Sequence, residues 1–278
     1  MVDVQRIASN LTLGDSGIWF SGDRGTVSYP ESGHAICLQL EERSFWFRHR
    51  NQCILELLRV FPPSGPMLDI GGGNGFVSCA IERAGLDVVL LEPGIEGARA
   101  ARERGLSTVI CSSFEGLELN RHAVGGAGLF DVLEHIEDDT GFLRRVNDVL
   151  APGGRVYLTV PARQFLWSTE DTAAGHYRRY SPATLAAPLE RAGFDVEFLT
   201  TIFWLLPAPI FLFRSLPTRL GLRRNEVLKH AQAEHLTSGG PLRAAVEWLQ
   251  SAELAAIRSR RVTRFGASLL VAAVKSPR

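Results

Sequence analysis

Apolar residues along this chain fall in two alternating periods, short continuous runs and longer stretches with helical spacing. Met67–Ile70, Val88–Leu91, Thr108–Cys111, Ala127–Leu133 and Arg155–Val160 read as buried strands. Between them, Gly75–Ala84, Ile95–Arg104 and Asp138–Leu150 read as helices, closed by Gly85, Gly105 and Pro152. Upstream, Phe45, Phe47, Ile54, Leu57 and Leu58 recur at near-helical spacing over 43–60, until Pro62 and Pro63 stop the helix. Downstream, Ser181 caps and Pro182 opens a helix to Ala192 that carries Pro188 inside it. Phe194–Leu199 and Ala267–Val274 make a sixth and a seventh strand. Repeated strand–helix units predict an α/β fold, a doubly wound and mostly parallel sheet with helices on both faces. The chain divides into an N-terminal extension (1–44), a main domain (45–203 and 264–278) and an insertion (204–263). Trp19, Phe20 and Tyr29 give the extension enough apolar weight to pack on the domain.

Composition narrows the function classes. Lys+Arg and Asp+Glu both number 30, and this balance argues against a nucleic-acid partner. Cys37, Cys53, Cys79 and Cys111 are scattered without metal spacing, as expected of reduced thiols in a cytoplasmic protein. Asp3 and Arg6 precede any apolar stretch, so no signal peptide is expected. The longest apolar run, Ile202 to Phe213, has 12 residues broken by Pro207 and Pro209, too short to span a bilayer.

The stretch "MLDIGGGNGF" (67–76) carries the candidate chemistry. Glycines after a strand let the main chain approach a ligand closely. The dinucleotide fingerprint G-x-G-x-x-G fails, because Phe76 stands where its third glycine belongs. A P-loop fails as well, for want of its lysine. The pattern present is D-x-G-x-G-x-G, formed by Asp69, Gly71, Gly73 and Gly75. An acid at that strand end suits a ligand with an ammonium group and repels a pyrophosphate. Glu92 ends the second strand 21 positions after Gly71, where a carboxylate can accept from ribose hydroxyls.

With "CSSFEGL", "GLFDVLEHIEDD" and "LAPGGRVYLTVPA" in order behind it, this loop resembles the class I S-adenosylmethionine-dependent methyltransferases. "WFRHRN" and "GHYRRY" are similar to the W-F-x-x-R-N and G-H-x-R-R-Y motifs of a bacterial type 11/12-like subgroup. The resemblance implies a Rossmann-like seven-stranded sheet whose last strand is antiparallel, with S-adenosyl-L-methionine as cofactor. It assigns the cofactor to Asp69, Gly71, Gly72, Gly73, Asn74 and Gly75, then to Glu92 and Pro93. Ser113 and Phe114 would meet the adenine, although Ser113 replaces the more usual Asp. Phe130 and Asp131 would complete the pocket, Trp46 would cover it, and Arg50 would meet the cofactor's carboxylate.

For methyl transfer, His176 is the first candidate base, His135 the second, and Asp131 joins them on the catalytic side. Arg178 and Arg179 either steer an anionic acceptor or pair with Asp171 and Glu170. Asp131, Glu134 and His135 match an E-x-x-E-H that binds a divalent cation in some ubiquinone-biosynthesis O-methyltransferases. Adjacent Glu134 and His135 do not by themselves point at one ion, and Mg²⁺ disfavours imidazole, so no metal is expected. Trp167, Tyr177, Tyr180 and Phe203, with Trp204 and Phe211 of the insertion, are the remaining candidate acceptor residues. Residues 214–264 hold ten Lys/Arg against four Asp/Glu, beside an apolar stretch. That pairing suits a lipid-like or amphipathic small molecule, or peripheral membrane contact through 202–224. The lipid-like expectation depends on Phe203, Trp204 and Phe211 facing the cavity. The competing readings are a non-catalytic S-adenosylmethionine-binding protein and an NAD-dependent oxidoreductase.

Overall fold

The structure, a computed structural model, describes residues 2–22, 41, 44–221 and 241–277. Tyr29, Cys37 and much of the basic half of the insertion lie outside these residues. The elements in chain order are β1 (Leu11–Leu13), β2 (Trp19–Ser21), α1 (Phe45–Val60), β3 (Met67–Ile70), α2 (Phe76–Arg83) and β4 (Val88–Leu91). Then come α3 (Ile95–Glu103), β5 (Val109–Cys111), β6 (Val124–Phe130), α4 (Asp139–Val149) and β7 (Leu150–Pro161). The chain continues through α5 (Thr169–Ala173), α6 (Pro182–Arg191), β8 (Phe194–Ile202) and α7 (Pro207–Ile210). A π-helical turn (Phe211–Ser215), α8 (Leu216–Arg219), α9 (Pro241–Arg258) and β9 (Ser268–Lys275) follow.

All strands among the described residues belong to one sheet, ordered β1-β2-β5-β4-β3-β6-β7-β9-β8. From β2 to β7 the pairs are parallel, and β9 lies antiparallel between β7 and β8. The doubly wound α/β architecture is therefore present, but the described residues form a sheet of nine strands in place of the expected seven. The N-terminal residues supply the two extra ones: β2 pairs with β5, and β1 closes that edge. Neither is legible in the sequence, because each has three residues and no alternation to read. The fourth strand stops at Phe130, short of Leu133, because Asp131 takes φ 59° and turns the chain out of the sheet.

Strand alternation sorts the core into two layers. Leu68, Ile70, Val89 and Leu91 face one layer with α4 and α6, and Met67, Val88 and Leu90 face the other with α1 and α2. Chain order reverses at β3, which pairs with β4 on one side and β6 on the other. The crevice at the C-terminal ends of such strands is where this architecture binds ligands.

One buried carboxylate ties the insertion to this frame. Glu253 of α9 is 4% exposed and accepts from Phe203 N (2.8 Å), Trp204 N (2.7 Å) and His49 Nε2 of α1 (2.8 Å). It also holds Phe203 at φ 62°, a conformation unfavourable for a bulky residue. No helix of the described residues is long and apolar enough to cross a membrane. Glu253→Ala leaves these donors buried without their acceptor, so chemical denaturation is expected to show a loss of about 3 kcal/mol. Glu253→Gln, which keeps an acceptor oxygen, should recover part of it. A loss below about 1 kcal/mol for the alanine variant would mean that the anchor is dispensable.

Candidate active site

The turn after β3 exposes main chain instead of side chains. Gly71, Gly73 and Gly75 all take positive φ (71°, 55° and 74°). Gly71 N donates to Leu91 O at 2.8 Å, pinning the turn to the end of β4. A Cβ on Gly75 would lie 2.7 Å from Ala101 Cβ, so α2 and α3 approach only because that atom is missing. Glu92 fixes the turn from the neighbouring strand, its two oxygens accepting from Gly73 N (2.9 Å) and Gly94 N (2.7 Å).

Asp69 sits beneath this turn. It is 1% exposed, takes a hydrogen bond from the Ser78 hydroxyl, and does not line the cleft. Its Oδ1 has no hydrogen-bond partner among the described residues. Burial drives its carboxyl up from 3.8 to about 6, against the pull of Ser78 and Arg50.

The cleft beyond the turn has a volume of about 850 Å³. Gly71, Gly73, Asn74, Glu92, Pro93, Ser113, Phe114, Phe130, Asp131, Trp46 and Arg50 all line it. Gly72 and Gly75 face inward, against Leu90 and Ala101. Ser113 Oγ accepts from Gly116 N at 3.0 Å, and Phe114 packs on Phe142 with ring centroids 5.1 Å apart. Trp46 stacks on Phe203 (5.5 Å between centroids, 7° between planes), and the Arg50 guanidinium lies 4.8 Å from the Trp46 ring centre. Arg50 is also ion-paired with Asp131 Oδ2, while Asp131 Oδ1 accepts from Thr159. With both oxygens engaged, Asp131 is a structural anion for Arg50 and a poor candidate base.

The far end of the cleft gathers Glu134, His135, His176 and Arg179. The His135 and His176 rings meet edge to face at 4.7 Å. His176 Nδ1 is 3.0 Å from Asp171 Oδ1, and Arg179 donates to both Asp171 oxygens (2.7 and 3.0 Å). Burial pushes the Asp171 carboxyl up, but the bonds from His176 and Arg179 outweigh it and hold the group at about 2. His135 is pulled down to about 4 by burial and then by His176, which leaves it neutral at pH 7. Burial, then the neighbouring Asp131, pushes Glu134 well above the carboxylate range. Ligand-capable atoms of Glu134, His135 and His176 lie within 4.8 Å of one another, as do those of His49, Cys53 and Glu253. The fold thus adds His176 to a Glu–His pair that spacing alone did not aim at one ion. The second trio is already engaged in the α9 anchor.

Several expected acceptor residues lie elsewhere. Tyr180 is buried, with its hydroxyl on Asp139 Oδ2 (3.1 Å), and Arg178 pairs with the same carboxylate (3.0 Å). Tyr177 is exposed, and Trp167 is half-buried away from the cleft lining. Trp204 donates its Nε1 to Thr201 O (3.0 Å) and Thr263 Oγ1 (3.1 Å), Phe203 is buried under Trp46, and Phe211 packs on Phe165. The three aromatics therefore pack away from the cavity, and the lipid-like expectation that was built on them fails. Leu206, Pro209, Ile210 and Phe213 of the same stretch face it instead. The kink at Phe203 and the π-helical turn decide which side chains point inward, and neither leaves a periodic trace. Asp171, five positions before His176, carries no local sign of burial, so the sequence suggests only a partner for arginine there.

Comparison with known proteins decides the family. A profile described as "Methyltransferase domain" matches residues 44–198, more than half of the chain. The chain belongs to that methyltransferase family. Its cofactor is S-adenosylmethionine, as the glycine turn and Glu92 suggested. A ubiquinone biosynthesis O-methyltransferase from Xanthomonas axonopodis pv. citri is 27% identical over 158 residues, 50% of this chain and 66% of that protein. The matched part thus falls short of two thirds of this relative's length. Two solved structures share the fold. An S-adenosylmethionine-dependent methyltransferase from Thermotoga maritima is 18% identical, with TM-score 0.54 over 87% of this chain and 99% of that one. Phosphoethanolamine N-methyltransferase 2 from Haemonchus contortus is 19% identical, with TM-score 0.56 over 90% of this chain and 58% of that one.

The cofactor fits the residues present. Around the methyltransferase turn the cleft offers bare main chain and the oriented Glu92 carboxylate. Glu115 also lines it, Glu41 and Asp131 are balanced by Arg104 and Arg50, and the turn itself presents no lysine or arginine of the kind that holds a diphosphate. Asp69 governs a pH signature of this loop. Its raised value means that the folded state binds the proton more tightly than the unfolded chain. Stability from this group is full below about 4 and lost as pH rises through about 6, a change of roughly 3 kcal/mol. Thermal melts across that range are expected to show Asp69→Asn gaining on the parent as pH rises. Parallel curves would sink the assignment.

Proposed function

We propose that this methyltransferase methylates a hydroxyl group of a small amphipathic acceptor, with His176 as the base. The carrying observation is the buried Asp171 on His176 Nδ1, with His176 itself lining the cleft that the glycine turn opens. Asp171 fixes the ring so that Nδ1 carries the proton and Nε2 is left to accept one. Arg179 and the backbone N–H of Ser168 (2.9 Å) keep Asp171 ionised and in place. His135, held at about 4 by burial and then by His176, is a weak proton acceptor. Bound beside the turn, S-adenosylmethionine supplies an activated methyl group.

The remaining work is alignment of the acceptor, which can lower the barrier by several kcal/mol. The wall formed by Leu206, Pro209, Ile210 and Phe213 would receive an apolar portion of the acceptor, with Arg214 at its edge. The relative named for ubiquinone biosynthesis and O-methylation supports a hydroxyl-bearing acceptor with an apolar part.

Calorimetry is expected to register binding of S-adenosylmethionine and no binding of NAD. A preference for the nicotinamide compound would overturn the cofactor reading. His176→Gln should bind the cofactor as the parent does, while methyl transfer from labelled cofactor to phenolic lipid acceptors falls about 10²–10⁴-fold. Unchanged transfer in that variant would remove His176 from the mechanism.

A further inference from the structure

The rim of the cleft carries large apolar side chains in water. Phe165, Leu212, Phe213, Leu216, Leu220 and Phe265 are all exposed, Phe213 by 63% and Leu220 by 61%. They come from three stretches of chain that the fold joins into one patch. Arg219 Nη2 donates to Phe165 O (2.9 Å), Phe165 packs on Phe211 (6.1 Å), and the Arg163 guanidinium lies over both Phe165 (5.9 Å) and Phe265 (4.9 Å). Single exposed apolar residues need no explanation, but a contiguous set around a cavity mouth does.

The charge of this patch points to its partner. No Asp or Glu occurs between Glu197 and Glu226, after Glu253, or from Arg163 to Thr169. Glu170 pairs with Arg214 (3.7 Å), while Arg163, Arg219 and Arg264 form no ion pair among the described residues. Arg163 hydrogen-bonds the carbonyls of Gly266 (3.1 Å) and Arg264, and Arg219 bonds that of Phe165. These contacts orient the guanidinium groups without neutralising them, and the Arg264 side chain is exposed. The whole chain is neutral, so this positive field is local. Phe213 belongs to the rim and to the cleft lining at once, which makes the apolar surface continuous from solvent into the acceptor end.

We infer that this arginine-studded apolar rim docks on a bilayer surface bearing anionic headgroups, so that an acceptor held in the lipid enters the cleft without crossing water. Protruding apolar side chains beside uncompensated arginines match the interface of such a surface. The inference rests on the proposed amphipathic acceptor for its purpose, but the docking is measurable by itself.

The test is co-sedimentation of the full chain with vesicles of phosphatidylcholine, alone or mixed with phosphatidylglycerol, at low and high salt. Partitioning is expected to be about tenfold or more stronger on the mixed vesicles and to weaken with salt. The double variants Leu220→Ser/Phe265→Ser and Arg219→Glu/Arg264→Glu should each lower it about tenfold while leaving the calorimetric affinity for S-adenosylmethionine unchanged. Equal partitioning on both vesicle types, no partitioning, or indifference to both variants would overturn the inference. So would a concentration-dependent dimer that the serine variant dissolves, because a second copy would then be what covers the patch. Vesicle binding without cofactor binding would refute the proposed function and leave the docking intact.

Discussion

The site depends on a main chain that bends within a few residues at the point where the sheet's order reverses. Gly71, Gly73 and Gly75 hold backbone angles that side chains resist, and Gly75 also lets α2 and α3 close on each other. Glu92 on the adjacent strand then clamps the bend through two backbone N–H groups. The floor of the cleft is thus backbone and oriented carboxylate, and it gains its shape from strand pairing. Asp69 supports it from below at an electrostatic cost, a carboxyl almost stripped of water and held by one hydroxyl.

A second feature is the chain of contacts that joins the insertion to this floor. Glu253 holds the backbone of Phe203, Phe203 stacks on Trp46, Trp46 carries Arg50, and Arg50 pairs with Asp131 at the end of β6. Each link is a packed or largely buried contact, which ties α9 to the cleft. The insertion is thereby part of the site's construction as well as its rim.

The two ends of the cleft differ in charge. Near the turn, ionisable carboxylates are oriented by backbone N–H groups or arginine. At the far end, burial pushes Glu134 toward its neutral form and His135 away from its cation, while His176 is held by the low-pKa Asp171. A cationic cofactor at one end and a neutral acceptor at the other suit this division.

By itself, the sequence determined the α/β class, the position of most strands and helices, the glycine turn and Glu92. These follow from local causes: hydrophobic period, glycine and proline punctuation, and a carboxylate at a strand end. Most residues assigned to the cofactor line one cleft for the same reason, since strand ends in such a sheet converge on one crevice. Tertiary structure alone decided the rest. Three-residue strands at the sheet edge exist only because β5 offers them a partner. Phe203, Trp204 and Phe211 turned away from the cavity because a positive φ and a π-helical turn reset the facing of the insertion. Asp171 and Glu253 became important when distant elements removed them from water, and the charge a carboxyl bears depends on what surrounds it, which no spacing along the chain encodes.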